Sequence, residues 1–410
     1  MSASDLDDIV RGVHAFVDSV VVPMESANTG LLEDPRSLYG TDGKMVAAAQ
    51  ALRRQVRMRS AEAGYYTLFA STKLGGAGLG MRALFTIWES LYYRCGPGRI
   101  LPYDAIGHWT SGPGLILENV SQGQAPDVID DVMSGRKVMC FGMSEPDAGS
   151  DAWAIRTRAT PDGSDWRLNG TKQWTTNGPT ADFILVFAVT DDVERRTKKG
   201  GITAFLVPMD GPGVSVDSVV KLFGEIGGKE AIVSFNDTPV SHAQIVGDIG
   251  QGMRLGLSGV GIGRIYNAAR GVGLGRWALE RSIAYADIRM TFGVKIGDNQ
   301  GIQFPLAETG MELYAASTMA LDCADRLDSG IASMKELAMV KAYATETWFR
   351  AFDRAIQVHG GMGLTNELRL VDGFMQARIA RIADGSAEMM RRAIWRELRR
   401  GDVQIGARPR

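Results

Sequence analysis

Asn169-Gly170-Thr171-Lys172-Gln173-Trp174-Thr175-Thr176-Asn177-Gly178 is the stretch on which the reading of this chain turns. Asn-Gly tolerates positive φ at both positions and is a strong signal for a two-residue hairpin turn. The runs Asp165 to Leu168 and Thr171 to Thr176 would form its two arms. Four further runs follow, Phe183 to Thr190, Ile202 to Pro208, Val214 to Val220 and Ala231 to Phe235. They are rich in Val, Ile, Phe and Thr and bounded by Gly, Pro and Asp, the pattern of strands. Residues 135–245 are therefore expected to form a small antiparallel β domain, a barrel or a sandwich.

On either side the apolar spacing changes to three and four residues, the period of a helix. Met45 to Met58 and Leu84 to Tyr93 carry it upstream. Between them, Leu74 to Gly80 contains a loose GxGxxG fragment, but no strand precedes it, so it reads as a connection between helices. Downstream, helices are expected over about Gly263 to Met290, Ile302 to Leu327, Met334 to Val358 and Ser386 to Arg400. Four amphipathic helices with short connections suggest an antiparallel bundle. The expected fold is α+β: an N-terminal helical domain (1–134), a central antiparallel β-barrel domain (135–245) and a C-terminal four-helix bundle (246–410).

At 410 residues the chain is long enough for two or three domains. Lys plus Arg number 45 and Asp plus Glu 47, a balance that argues against an extended nucleic-acid surface. The longest uncharged run, Ala105 to Leu117, is too short to span a bilayer. The acidic start (Asp5, Asp7, Asp8) lacks the form of a signal peptide. Cys95, Cys140 and Cys323 show no CxxC pairing, so neither a disulfide framework nor a structural zinc site is expected. A reducing, cytoplasmic setting follows. His14, His108, His242 and His359 are not at ligand spacing, and no metal site is expected. Glycine, at 50 residues, is in excess, much of it expected in patterned loops.

Five constellations could carry chemistry. The loop Cys140 to Asp151 mixes small residues, hydroxyls and acids. It could offer N–H groups and hydroxyls to a ligand rich in acceptors, or be a solvated loop of Asx turns; its Asp spacing does not fit an EF-hand. Trp174 beside hydroxyls could stack on an aromatic cofactor or sit in the core. Arg289-Met290-Thr291-Phe292-Gly293 places an Arg where it suits a helix C-terminus or could pair with phosphate. Gln357 to Gly363 has more glycine than a helix cap needs, which would let backbone approach a pyrophosphate. In Asp384-Gly385-Ser386-Ala387-Glu388, Ser386 reads as an N-cap. Asp384 is either a second capping acid or a carboxylate held into a cavity.

In this order the motifs resemble those of the acyl-CoA dehydrogenase superfamily over nearly the whole chain. Met143 to Asp151 is similar to its Thr/Ser-Glu-Pro-x-Ala-Gly-Ser-Asp signature, and Asn169 to Gly178 to its Asn-Gly-x-Lys-x-Trp/Phe-Ile-Thr-Asn-Gly segment. Arg289 to Gln300 resembles Arg-x-Thr-Phe-Gly…Gln, and Gln357 to Gly363 resembles Gln-x-x-Gly-Gly-x-Gly. The resemblance implies an FAD enzyme of fatty acid metabolism, an acyl-CoA substrate, an electron-transfer flavoprotein as acceptor, and a homodimer or homotetramer. It implies FAD contacts from Phe141, Met143, Ser144, Gly149, Ser150, Trp174 and Thr176, with Met143 and Ser144 on the flavin pyrimidine, Trp174 and Thr176 at the ring, and Ser150 near the start of the ADP or acyl-CoA path. Arg289, Phe292, Gln300, Gln357 and Gly361 would hold the ADP half across a subunit interface, and Ser386 and Glu388 would complete the cofactor site. Substrate would meet Ser150, Arg264, Ala383 and Gly385, and Asp384 would be the catalytic base.

Three departures qualify the resemblance. Asp384 stands where many members place Glu, one methylene longer. Ala383 stands where the medium-chain member has Tyr, which leaves room for a branched or cyclic acyl group. Val260-Gly261-Ile262-Gly263 lacks the aromatic-acid pair of that member, although Arg264 is retained. The first two also motivate an alternative activity, a flavin monooxygenase or oxidase on the same fold. A non-catalytic, nucleic-acid-associated role is disfavoured by the near-neutral charge.

Overall fold

The computed structural model describes residues 3–120 and 125–406. Among them the longer helices are α1 (Ala3–Phe16), α2 (Ala47–Glu62), α3 (Met81–Cys95), α4 (Ala125–Met133), α5 (Gly252–Ile288), α6 (Gln300–Asp328), α7 (Met334–His359), α8 (Leu370–Ala380) and α9 (Ala387–Arg399). The strands are β1 (Met139–Gly142), β2 (Arg158–Asp162), β3 (Asp165–Thr176), β4 (Phe183–Val189), β5 (Ile202–Pro208), β6 (Val214–Val220), β7 (Glu230–Val240) and β8 (Ile245–Val246), with a small hairpin of β9 (Met290–Thr291) and β10 (Val294–Lys295). The described residues of Ala15–Leu79 and Ile100–Val260 form one compact unit. Those of Met1–His14, Gly80–Arg99 and Gly261–Arg410 form the other. No described helix is long and apolar enough to cross a membrane.

The first unit is built on an eight-stranded sheet in the order β6-β7-β3-β2-β4-β5-β8, with β1 also paired to β4. The expected closed barrel is not formed: among the described residues, β6 and β8 end the path and do not pair with each other. Nor is the sheet wholly antiparallel, because β4 pairs in parallel with β1 and, through Arg158 and Val189, with β2. Strand order depends on which distant strands meet, which a local pattern does not encode. The continuous run Phe-Ile-Leu-Val-Phe-Ala-Val of β4 is buried at every position. Phe183, Leu185, Phe187 and Val189 join a core with Leu117 and Val132, whereas Ile184, Val186 and Ala188 join a second core with Val233 and Phe235. A strand covered on both faces loses the alternation of a half-exposed one.

Asn169-Gly170 does not turn the chain. It lies inside β3, where the pairing with β7 shifts register between Leu168 and Gly170. The turn between β2 and β3 falls instead after Asp162, at Gly163 with φ 64°. Gly170 takes φ 149°, and a Cβ there would come within 2.5 Å of Thr157 Oγ1. The Asn-Gly signal thus reports an unusual backbone, and long-range pairing sets it opposite a bulge of β7 rather than at a turn.

Among the described residues, five helices, α5 to α9, follow from Gly252 onward, one more than expected. α8 escapes the sequence pattern because Gly373 sits in its first turn, where a Cβ would lie 1.9 Å from the Phe352 ring of α7. α5 begins eleven residues ahead of the expected Gly263. Most of the glycines lie outside it, many at positive φ in turns and loops, but some serve packing inside it; Gly273, for one, lets the backbone of α3 approach, since a Cβ would lie 2.3 Å from Glu89 O. The N-terminus of α3 is capped from far along the chain: Met81 N and Arg82 N donate to the Asp328 carboxylate at the end of α6, at 2.6 and 3.0 Å. A carboxylate there also complements the helix dipole.

Candidate functional site

Asp384 sits in the tight turn that links α8 to α9. Its φ is 55° and that of Gly385 is 95°. An L-residue in that region costs about 1–2 kcal/mol, and such strain collects at functional positions. The turn is closed by Ala383 N to Ile379 O (3.0 Å) and Ala387 N to Arg381 O (3.0 Å). Ser386 caps α9 as expected, its hydroxyl accepting from Met389 N at 3.3 Å. Asp384 is not the second cap. Its Oδ2 accepts from Asn267 Nδ2 of α5 at 2.7 Å, and the same amide nitrogen donates to Gly263 O at 2.9 Å.

Burial pushes the Asp384 carboxyl above the usual carboxylate range, against the opposite pull of Asn267 and of the cations Lys341, Arg264 and Arg270. Arg264 Nε is buried and has no hydrogen-bond partner in the structure. Ala383 and its neighbour Ile382 are exposed, while Glu388 stands on the outer face of the first turn of α9. Lys341 and Asn267 were not singled out by the sequence, since nothing local couples them to a residue 44 or 117 positions away.

At the far end of α5, Tyr285 stacks on His359 with ring centroids 4.5 Å apart. A small core of Ala286, Ile296 and Val358 joins the β9–β10 hairpin region to the end of α7. This brings the Arg289 to Gln300 segment together with the Gln357 to Gly361 segment. His359 is a helix-end hydrogen-bonder, its Nδ1 2.8 Å from Ala355 O. Phe292 occupies the hairpin turn at φ 50° and is wholly exposed. Arg289, Gln300, Gln357 and Gly361 are exposed as well, and a Cβ at Gly361 would meet nothing within 4 Å. Exposed cation, exposed ring and open backbone fit the phosphate and base of a dinucleotide.

In the sheet unit a second bulge decides where Trp174 points. β3 and β7 shift register again between Lys172 and Thr175. Trp174 takes φ 62°, and its indole is 51% exposed. The core placement that a plain strand would give it is excluded. Beside it Gln173 N donates to Ser144 O at 2.9 Å, tying the Met143–Ser144 loop to β3. Thr176 is exposed, with its hydroxyl 3.5 Å from Glu230 Oε1. Phe141 on β1 packs on Trp109 and Phe187, and Gly149 and Ser150 lie exposed at the loop's end. An open indole face next to loop backbone and a hydroxyl fits a planar heteroaromatic ring such as a flavin.

The loop is held from below by a pair the sequence did not reveal. Lys172 is fully buried and donates from Nζ to Glu145 Oε1 at 2.7 Å and to Met143 O at 3.2 Å. Glu145 also accepts from Arg156 N at 2.6 Å and Thr157 N at 3.0 Å. Burial alone would raise the Glu145 carboxyl, but Lys172 and these donors hold it below its ordinary range. Burial pushes Lys172 down to about 8.

The family model for the acyl-CoA dehydrogenase middle domain matches residues 140–238, and that for the C-terminal domain residues 250–399. The chain is 34% identical over 331 residues to the mitochondrial short-chain specific acyl-CoA dehydrogenase of Homo sapiens, covering 81% of this chain and 79% of that protein. It is 30% identical over 341 residues to the 3-(aryl)acrylate reductase of Clostridium sporogenes, covering 83% and 89%. Its fold is similar to that of a glutaryl-CoA dehydrogenase from Mycobacterium smegmatis in complex with FADH2 (TM-score 0.80, 23% identity, 99% of this chain and 97% of that one). The chain belongs to the acyl-CoA dehydrogenase family of FAD-dependent oxidoreductases.

Proposed function

We propose that this protein removes hydrogen across the Cα–Cβ bond of an acyl-CoA thioester, with Asp384 as the base that takes the α-proton. The observation that carries this reading is the setting of Asp384. It is a strained, half-buried carboxyl bonded on one oxygen by Asn267 at 2.7 Å and raised in pKa by burial. A base must be ionised yet keep a proton affinity matched to its task, and desolvation supplies that affinity. The backbone N–H of Asp384 would donate to the thioester carbonyl and stabilise the developing enolate. Arg264, Gly385 and Ser150 would meet the substrate.

Phe141, Met143, Ser144, Gly149, Trp174 and Thr176 would hold the flavin side of FAD, with Ser150 near the start of the ADP or acyl-CoA path and Ser386 and Glu388 at the turn. Arg289, Phe292, Gln300, Gln357 and Gly361 would hold the ADP half for a second copy of the chain, so the active form is a homodimer or homotetramer. Bound FAD supplies the acceptor for the β-hydride. We place the enzyme in the cytoplasm, passing electrons on to an electron-transfer flavoprotein.

Ala383, exposed and small, leaves width next to the base, which supports a branched or cyclic acyl group. Ala383→Tyr is expected to lower kcat/KM for branched and cyclic acyl-CoAs by about 10-fold or more relative to straight ones, the order of a steric clash in an apolar pocket. Equal loss for both classes in steady-state assays would exclude the wide pocket.

The decisive experiment is an anaerobic titration of the flavin-loaded protein with straight, branched and cyclic acyl-CoAs. Bleaching of the flavin absorbance by one of them is the expected result and names the substrate class. No bleaching by any, with rapid oxygen uptake after chemical reduction, would favour the monooxygenase or oxidase reading that Asp in place of Glu also motivates.

A further inference from the structure

Lys341 lies in the middle of α7, in direct contact with the turn that presents Asp384. It is fully buried. Its Nζ donates to the carbonyl of Gly385, the residue after the proposed base, at 2.5 Å. Its helix neighbours Ala338 and Ala342 form a buried apolar cluster with Met390 of α9. Packing alone does not call for an ammonium here; a buried cation costs several kcal/mol unless something compensates it. Two groups do. One is the Gly385 carbonyl, which belongs to a turn with two consecutive positive φ values. The other is the Asp384 carboxyl, toward which Lys341 acts as a counter-charge.

Resting on the base assignment above, we infer that Lys341 is the positioning residue of Asp384: its ammonium pins the strained peptide that follows the base and faces the carboxyl with a positive charge. The two roles address the shorter side chain. An Asp reaches less far than a Glu, and an error of about 1 Å costs about 100-fold. A turn fixed by a charged donor resists drift by that distance, because releasing it would leave a buried ammonium without its acceptor. Asn267 fixes Oδ2 from the α5 side, so one residue holds the carboxyl through its oxygen and the other holds the turn through the carbonyl of the next residue, Gly385.

The surrounding charges set the size of the effect. Arg264, Tyr266 and Arg270 on α5 act on or with Asp384, and Glu388 on α9 and Arg381 act on Lys341. Burial, with Arg264 and Arg381, lowers Lys341 to about 8, whereas Asp384 and Glu388 pull it back up. Arg264 and Arg270 remain when Lys341 is changed, so its loss shifts Asp384 without stripping it of all positive charge.

The test compares wild type, Lys341→Gln, Lys341→Met and Asp384→Asn as flavin-loaded proteins. The readouts are the pH profile of anaerobic flavin bleaching, flavin content and the thermal midpoint. Gln keeps a donor for Gly385 but no charge; Met keeps neither. Both are expected to move the acid limb of the profile up by about one pH unit, since removing a cation raises a carboxyl. Met alone should also lower the limiting rate at high pH, by about 10- to 100-fold. A merely structural lysine would lower flavin content or the thermal midpoint and leave the acid limb in place. An acid limb unmoved in Lys341→Gln overturns the inference, and if Lys341→Met does not fold, the Gln variant decides. Wild-type bleaching by Asp384→Asn overturns instead the base assignment on which it rests.

Discussion

Asp384→Asn is expected to lose turnover by about 10⁴-fold, the upper range for removal of a general base, while FAD stays bound. The amide is isosteric with the carboxyl but cannot take a proton. Asn also tolerates positive φ better than most residues, so the turn at φ 55° survives the change. The Ser386 cap and the Lys341 bond to Gly385 use neither side-chain oxygen. Rapid-mixing measurement of flavin bleaching checks it, and a variant that bleaches at the wild-type rate is incompatible with Asp384 as base.

The same residue ties activity to pH and stability with opposite signs. The reaction needs the ionised form, and burial raises the Asp384 carboxyl, so the rate falls with acid at a pH above the ordinary carboxylate range. For stability, a raised acid binds more protons folded than unfolded. Its favourable contribution is complete below the unfolded pKa and is lost as the pH rises through the folded one. At neutral pH wild-type protein therefore carries a cost that Asp384→Asn removes. The inactive variant should melt at or above the wild-type temperature in a calorimetric scan at pH 7.

Glu145→Ala is expected to be the most damaging change in the sheet unit. It would leave the fully buried Lys172 with Met143 O alone and would orphan the N–H groups of Arg156 and Thr157. Breaking one side of a buried pair costs about 3–5 kcal/mol. The Met143–Ser144 loop would lose its support at the same time, so purified protein should carry little flavin. Denaturant unfolding and the ratio of flavin to protein absorbance read the two effects. Unchanged values for both would mean that the pair neither supports the fold nor holds the loop. Replacing both residues, Glu145→Gln with Lys172→Met, should cost less than Glu145→Ala alone, because no charge remains buried.

What the sequence made legible follows from what is local. The helical stripes of α6, α7 and α9 could be read almost to the residue, because periodicity is a property of neighbours. The apolar run of β4 was readable for the same reason. The Asn169-Gly170 signal was real but misassigned: it reports tolerance of unusual φ, and pairing with β7 decides between turn and bulge. α8 was lost because the glycine that weakens its helical pattern is there for Phe352, a residue of another helix. Strand order, and hence the open sheet, was out of reach in the same way.

The candidate site divides similarly. Trp174, Ser386 and Asp384 stood out by residue type, but their supports did not. Lys172 finds Glu145 across 27 positions and Asn267 finds Asp384 across 117. A lysine in a strand or helix reads as a solvated face until its partner is in view. Local rules break visibly at Trp174 and Asp384, both non-glycine residues at positive φ, which is where functional demands override propensity.

The carboxylate of Asp328 that caps α3 has a consequence for the order in which the protein is made. Met81 and Asp328 are 247 residues apart, and the unit they join also draws on the first residues of the chain. Domains tend to fold as they leave the ribosome, at about 5–20 residues per second. The sheet unit has all its parts once residue 260 has emerged. α3, with Trp88, Leu91 and Tyr92 destined for the interior, must wait from its own emergence until Asp328 follows, more than two hundred residues later and roughly ten seconds or longer at those rates. During that interval the nascent chain displays an amphipathic helix with no mate, an attractive client for a ribosome-bound chaperone.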